Sequence, residues 1–351
     1  MNSINAVYSN NVITMKSFIE RMAPSTELYK KINEHRQRIG DIINGVTDSK
    51  LLVIIGPCSV HDVTAAREYA KRLKIIADKH KESLEIVMRV YCDKPRTRLG
   101  WKGLIRDPYL DGSCDLDLGI SVSRELIYEI NCLGLPVSTE FLDLVTAYYL
   151  SDLISWGAIG ARTTESQMHR ELASLIKCPI GFKNGTQGNV QIAIDAILAA
   201  REKHTTMYPD MDGRLSIVSS NGNNDCHVIL RGGIKPNFYP SDINDTVIGL
   251  QRAGLPQRIV VDCSHGNSQK NHLRQMDVIK NISEQLKSGS KAISGVMIES
   301  FIVGGKQELS DKTELVFGQS ITDPCLGWSE TEEALEILSY AVKERTLSTS
   351  V

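Results

Sequence analysis

From residue 51 onward, eight apolar, strand-like runs alternate with segments of helical periodicity. That alternation limits the possible folds more than any other feature of the chain. The first run is the plainest: Leu51-Leu52-Val53-Ile54-Ile55, unbroken by a polar residue and stopped by Gly56-Pro57. Such a run reads as a strand buried on both faces, the condition of a parallel sheet covered by helices. Further strands are expected at 84–90, 135–140, 158–162, 179–183, 227–231, 258–263 and 293–299. Helical patterns fill the intervals at 62–80, 116–133, 143–155, 166–177, 189–202, 241–253, 268–287 and 329–344. Thr164 with Gln167, and Ser329 with Glu332, have the spacing of a capping box at a helix start. Eight such repeats in about 300 residues fit a (β/α)8 barrel better than a doubly wound sheet.

Outside the repeats, residues 1–48 form a polar arm and a helix, and residues 49–351 form the barrel. A short helix is expected near Ile13 to Met22. A longer one, capped by Ser25, keeps Leu28, Ile32, Ile39, Ile42 and Ile43 on one face, as a barrel-bottom cover or an oligomer contact. The barrel itself is interrupted at 91–115, 203–226 and 300–328. In the second interruption, Leu215-Ser216-Ile217-Val218 between Asp212-Gly213 and Asn221-Gly222 reads as one arm of an inserted β-hairpin. Loops of this length in a compact domain are usually functional or disordered, and these are not of low complexity.

A net charge of -2 gives no basic excess for nucleic acid, and no stretch reaches the roughly 18 apolar residues of a membrane span. No export signal is visible at the start, so a cytoplasmic location is expected. The eight cysteines, 58, 92, 114, 132, 178, 226, 263 and 325, contain no C-x-x-C pair, which argues against a disulfide framework.

In a barrel of parallel strands, chemistry is built at the carboxyl ends. Here those ends, with the loops that follow, carry Cys58, Arg89 and Lys94, Arg96 and Thr97, Glu140, Arg162, Lys183, Arg231, His265 and Glu299, with Asp323 on the loop after the eighth strand. Two groups separate by chemistry. Arg89, Lys94, Arg96, Arg162, Lys183 and Arg231 put so many cations at one mouth that a small, strongly anionic and phosphorylated substrate is expected. Gly232-Gly233 after Arg231 also permits backbone to approach an anion closely. Cys58, His265, Glu299 and Asp323 offer a thiolate, an imidazole and two carboxylates, a donor set for one borderline divalent metal: Mn, Fe, Co or Zn. The same pattern is open to a non-catalytic barrel that binds phosphorylated metabolites or a partner enzyme.

Taken as motifs, Gly56-Pro57-Cys58-Ser59, Lys94-Pro95-Arg96-Thr97 with Gly100-Trp101-Lys102-Gly103, Gly160-Ala161-Arg162-Thr163-Thr164-Glu165-Ser166, Gly181-Phe182-Lys183-Asn184-Gly185-Thr186, Ile229-Leu230-Arg231-Gly232-Gly233, Asp262-Cys263-Ser264-His265-Gly266-Asn267 and Ser320-Ile321-Thr322-Asp323 resemble class I 3-deoxy-D-arabino-heptulosonate 7-phosphate (DAHP) synthase. The resemblance runs from about residue 25 to 345. It implies a metal-dependent condensation of phosphoenolpyruvate with erythrose 4-phosphate, with Cys58, His265, Glu299 and Asp323 binding the metal. It also implies that Arg89, Lys94, Lys102, Arg162, Lys183 and Arg231, beside Glu140, hold phosphoenolpyruvate, and that Arg96 and Thr97 hold the sugar phosphate. Lys94 is the candidate for proton transfer. A related barrel, 3-deoxy-D-manno-octulosonate 8-phosphate synthase, lacks the arm and the Lys94-Pro95-Arg96-Thr97 form. The arm and the hairpin resemble members inhibited by an aromatic amino acid, and homodimers or homotetramers are the family habit. Ala147-Tyr148 stands where a Pro-Gln pair is common, and Lys177 where a small residue is common. At most weak inhibition, by a single aromatic amino acid, is therefore expected.

Overall fold

A strand with apolar side chains on both faces is stable only when something covers each face, and a barrel ringed by helices does this for every strand at once. The computed structural model describes residues 12–22, 24–96, 100–309 and 314–348. Its strands are β1 (Leu51–Gly56), β2 (Leu84–Arg89), β3 (Val137–Glu140), β4 (Trp156–Ile159), β5 (Ile180–Lys183), β6 (Thr205–Pro209), β7 (Leu215–Ser219), β8 (Cys226–Leu230), β9 (Ile259–Asp262), β10 (Ile293–Glu299), β11 (Val303–Lys306) and β12 (Gln319–Ser320). Among the described residues, eight parallel strands close into a barrel in the order β1, β2, β3, β4, β5, β8, β9, β10, and β10 returns to β1. β6 and β7 pair antiparallel as the inserted hairpin, and β11 pairs with β12 in the long loop after the last barrel strand.

The helices are α1 (Met15–Arg21), α2 (Thr26–Ile43), α3 (Val63–His80), α4 (Leu116–Cys132), α5 (Leu144–Leu150), α6 (Gln167–Leu175), α7 (Gln191–Arg201), α8 (Pro240–Arg252), α9 (Arg274–Lys287) and α10 (Trp328–Ser348). No helix among the described residues is long and apolar enough to cross a membrane.

Of the two roles open to α2, the structure shows the barrel-bottom cover. Ser25 accepts a hydrogen bond from the Leu28 N–H and caps its start. Ile39, Ile42 and Ile43 pack with Leu52, Ile54, Trp156, Ile229 and Val260 in the cluster that fills the barrel. Arg36 donates to the carbonyls of Ser151, Asp152 and Ile154 and so ties α2 to the segment before β4. At the other side of the arm, the Lys16 N–H donates to the Met211 carbonyl and Tyr149 Oη to the Ile13 carbonyl, so α1 lies against α5 and the hairpin tip.

Several boundaries depart from the expected ones, each for a local reason. The third strand begins at Val137 because Pro136 has no N–H; its carbonyl alone joins the ladder, accepting from Met88. The fourth strand is 156–159, not 158–162: the Gly160 carbonyl accepts from Thr163 and Thr164, which turns the chain and leaves Arg162 in the loop. Thr164 does not cap α6. Its hydroxyl is buried and donates to the Lys183 carbonyl, which ties the loop to β5, and Ser166 takes the cap position. Ser329 likewise lies inside the first turn of α10, whose Thr331 N–H reaches back to Gly327. The segment expected as helix at 143–155 is α5 followed by a 3-10 turn at Ser151–Leu153. Before α9, left-handed Gln269 and Lys270 break the helix expected from 268.

Candidate active site

Inward-pointing residues alternate along each strand, so a side chain at a strand's carboxyl end projects into the barrel mouth. Arg89, Glu140, Lys183, Asp262 and Glu299 are such terminal residues of β2, β3, β5, β9 and β10. Cys58 follows β1 by two residues and is fully buried. Arg89 and Lys183, with Lys94, Arg96, Arg162 and Arg231, wall a cavity of about 420 Å3, while Cys58, Asp262 and Glu299 are not among its lining residues. Glu140, His265 and Asp323 complete it. Of the residues singled out in the sequence, Lys102 stands apart: its side chain is exposed and is not part of the cavity wall, while its carbonyl accepts from the Lys94 N–H. Thr97 lies outside the described residues. Arg96 reaches the cavity with Nε donating to the Trp101 carbonyl at 2.9 Å.

One end of this mouth gathers anionic donors. Ligand atoms of Cys58, Glu299 and Asp323 lie within 4.8 Å of one another. His265 stands beside them, its Nε2 3.7 Å from Glu299 Oε1, on a backbone held left-handed at φ 55°. Left-handed geometry is uncommon away from glycine and clusters at functional sites. The Lys94 ammonium sits among these groups, donating to Cys58 Sγ at 2.7 Å and to Asp323 Oδ2 at 2.9 Å. A positive charge thus already rests where the donor set would receive a metal ion, and the residues fit such an ion in kind: one thiol, two carboxylates and an imidazole.

The electrostatics follow from this crowding. Burial pushes the Cys58 thiol up to about 11, and the Glu299 charge adds to the effect while Lys94 opposes it. Burial would also raise Asp323 and Glu299, but their neighbours outweigh it and both are held below the usual carboxylate range, Asp323 chiefly by Lys94 and Glu299 by His265 and Arg89. For Lys94, burial works against the charge, and Cys58, Asp323 and Glu299 overcome it.

Behind these groups sits a set of fixed hydrogen bonds. Glu299 Oε1 accepts from Arg89 Nη2 at 2.9 Å and Oε2 from Ser264 Oγ at 2.8 Å. Gln275 exchanges two bonds with the Glu299 main chain. Asp262, also fully buried, has Oδ2 at 2.9 Å from Lys183 Nζ and 2.8 Å from His265 Nδ1. Sequence reasoning passed over Asp262, Ser264 and Gln275. Only the position of Asp262 and Ser264 within Asp262-Cys263-Ser264-His265, at a strand end, was there to signal them.

The glycine pair after Arg231, read in the sequence as room for an anion, also has a packing role. Gly232 is left-handed (φ 73°), and a Cβ on it would meet the Gly266 carbonyl carbon at 2.5 Å; one on Gly233 would meet the Gly188 nitrogen at 2.4 Å. The missing side chains let three loops of the mouth close on one another.

With this geometry in place, comparison with known proteins decides the family. The model of the DAHP synthetase I family matches residues 23–336. The chain belongs to the DAHP synthetase I family. Within it, the chain is 53% identical over 335 residues to the Trp-sensitive phospho-2-dehydro-3-deoxyheptonate aldolase of Enterobacter agglomerans, covering 95% of this chain and 96% of the relative. It is 53% identical over 314 residues to the Trp-sensitive enzyme of Escherichia coli strain K12, 90% of each. The solved phospho-2-dehydro-3-deoxyheptonate aldolase of Francisella tularensis SCHU S4 has the same barrel, with a TM-score of 0.94 at 44% identity, over 97% of this chain and 99% of the other. In this DAHP synthetase, the anionic donors and the cationic wall described above lie at the carboxyl end of the barrel, where such folds place their chemistry.

Proposed function

We propose how this DAHP synthase condenses phosphoenolpyruvate with erythrose 4-phosphate to give DAHP and phosphate, the first step of the shikimate pathway. The observation that carries the reading is one mouth: a cavity with cations along its wall and His265 and Asp323 in it, Cys58 and Glu299 grouped with Asp323 within 4.8 Å, and Lys94 bonded to Cys58 and Asp323. Cys58, His265, Glu299 and Asp323 would hold one divalent ion, Mn, Fe, Co or Zn. Such an ion, when bound, polarises the aldehyde carbonyl as a Lewis acid. The chain's own residues do the rest. Arg89, Arg162, Lys183 and Arg231 bind the phosphate and carboxylate of phosphoenolpyruvate, and Arg96, with Thr97, binds the phosphate of the sugar. Held at both ends, the two reactants meet with the enol carbon facing the aldehyde, which converts a bimolecular encounter into a positioned one. Lys94 carries its proton at Nζ beside the donor set and delivers it to the aldehyde oxygen as the carbon–carbon bond forms; a water then adds at C2 of the former phosphoenolpyruvate, and the phosphate leaves to give the keto product. Lys102, exposed in this structure, is left out of the contact set.

The deciding assay measures phosphate release from phosphoenolpyruvate with erythrose 4-phosphate, with EDTA, with Mn restored, and in Cys58→Ala. Turnover should need the sugar phosphate, vanish with chelator and return with Mn in the wild type only. Full activity after exhaustive chelation would remove the metal assignment, and no turnover with any divalent metal would move the reading to a binding protein.

For regulation we propose weak inhibition by a single aromatic amino acid, with tryptophan first in line because the relatives above are Trp-sensitive by name. Tyr148 supports weakness: its ring packs edge-on against Tyr149 and Tyr208, and its hydroxyl donates to the Asp210 carbonyl, so bulk already lies between α5 and the hairpin. Half-inhibition by phenylalanine at low micromolar concentration would contradict this. A cytoplasmic homodimer or homotetramer completes the proposal, and light scattering on the purified chain reads its mass.

A further inference from the structure

Lys183 ends β5, and Arg231 and His265 follow the last residues of β8 and β9. Three asparagines, Asn184, Asn237 and Asn267, bind the loops that carry these groups to one another. The β5–β8 ladder stops at Lys183 opposite Ile229, and just beyond it the Arg231 N–H goes to a side chain: Asn184 Oδ1 accepts it at 2.8 Å. Asn184 Oδ1 also accepts from Asn237 Nδ2 at 3.2 Å, while Asn184 Nδ2 donates to the carbonyls of Gly185 at 2.9 Å and Gly232 at 3.0 Å. Asn237 Oδ1 accepts from the Gly232 N–H at 2.7 Å, and the Asn237 main-chain N–H donates to Asn267 Oδ1 at 2.8 Å. Asn267 Nδ2 then donates to the carbonyls of Leu230 at 3.1 Å and Asp262 at 2.8 Å. Carbonyls only accept and main-chain N–H groups only donate, so the amides of Asn184 and Asn267 fit in one orientation. Both residues are buried, and every hydrogen-bonding position of the Asn184 amide is used. A satisfied buried network of this kind is rigid, and removing one member strands the others.

We propose that Asn184, Asn237 and Asn267 are positioning residues, whose linked amides hold Arg231 at a fixed separation from Lys183 and so set the grip of the mouth on phosphoenolpyruvate. The proposal rests on the reading that Lys183 and Arg231 bind that substrate. None of the three asparagines is among the residues that line the mouth cavity, whereas Lys183 and Arg231 both are. The asparagines therefore act through the main chain: Arg231 is held by its N–H, and Gly232 after it by both its N–H and its carbonyl. At the other end of the network, Asn267 fixes the carbonyl of Asp262, whose carboxylate accepts from Lys183 Nζ at 2.9 Å, so the chain of bonds returns to the second cation. Arg96 lies outside the network, tied instead to the Trp101 carbonyl.

The test is steady-state kinetics of the full-length, Mn-loaded enzyme carrying Asn237→Ala or Asn237→Leu. KM for phosphoenolpyruvate should rise about tenfold, the scale of one hydrogen bond, while kcat and the KM for erythrose 4-phosphate stay within about twofold, the pattern of lost substrate binding. Asn184→Ala should raise the same KM, and the double variant with Asn237→Ala should cost no more than the larger single effect, because both cut one network. An unchanged KM for phosphoenolpyruvate in a folded Asn237 variant, an equal rise in both KM values, or costs that add in the double variant would overturn the proposal. Arg231→Met separates it from the reading beneath it. A wild-type KM for phosphoenolpyruvate in that variant would remove Arg231 from the substrate site, whereas a rise there, with wild-type values in the Asn237 variants, strikes the network alone. If circular dichroism shows Asn184→Ala to be unfolded, the two variants at half-buried Asn237 still decide.

Discussion

Asp262 places one carboxylate oxygen between two chemistries: Lys183 of the cationic wall on one side and His265 of the donor set on the other. The residue is fully buried, and its neighbours His265 and Lys183 hold the group well below the usual carboxylate range against the opposing effect of burial. Such an outer partner fixes the orientation of a ligating imidazole, and its loss typically costs about 10–100-fold in metal affinity or activity. Asp262→Asn keeps the shape and removes the charge. We expect its kcat/KM for phosphoenolpyruvate to fall by that factor of about 10–100, with Mn affinity lowered in parallel. An unchanged Mn affinity, measured by titration, would confine Asp262 to the Lys183 side. The sequence marked His265 and Lys183 because each residue type has a recognisable role at a strand end. It left Asp262 unmarked because its role exists only when two strands not adjacent in sequence, β5 and β9, deliver their last residues to one point.

At the level of elements, α2 shows how a periodic pattern can be legible while its purpose is not. Leu28, Ile32, Ile39, Ile42 and Ile43 are all buried, as the spacing of the apolar positions requires. That Ile39, Ile42 and Ile43 meet the barrel's own interior, while Leu28 and Ile32 join the other core cluster, follows from the strand ends the helix covers. Ile39→Ala would leave a void among Leu52, Ile54 and Trp156, so the variant should lose about 2–5 kcal/mol of unfolding free energy in urea, the range for a buried Ile cut to Ala. Its kcat should stay near wild type at low temperature, since the helix lies at the barrel end opposite the catalytic mouth. A loss under about 1 kcal/mol would mean that the bottom of the barrel relaxes into the space. The element boundaries that sequence reading misplaced have separate causes: Pro136 offers no N–H, the Gly160 carbonyl accepts from Thr163 and Thr164 of its own turn, and Thr164 donates to the Lys183 carbonyl, none of which periodicity encodes.

For the molecule as a whole, the barrel interior sets a pH dependence. His227 is buried on β8, accepts a hydrogen bond from Trp156 Nε1 at 3.2 Å, and is pushed by burial down to about 4 from the ordinary 6.5. Above pH 6.5 the ring is neutral in folded and unfolded chains alike. Between 6.5 and 4 the unfolded chain takes up a proton that the folded one refuses, so stability falls as pH drops through that window, by at most about 1.4 kcal/mol per pH unit from this residue. Urea unfolding at pH 7 and pH 5 should show wild type losing up to about 2 kcal/mol more than His227→Gln over the same interval. Equal losses in the two chains would mean that His227 does not carry the effect. By itself, the sequence determined the repeat of buried strands and amphipathic helices, hence the barrel, and the residue types at its mouth, because burial on two faces and donor chemistry are local properties written in side chains. Only the tertiary structure decided that Lys94 rests among the candidate metal donors, that Asp262 stands between Lys183 and His265, that Lys102 is exposed, and that Gly232 and Gly233 let the loops close on one another. Each of those depends on distances between residues far apart in the chain, fixed when the barrel closes and its loops pack, and no local pattern contains them.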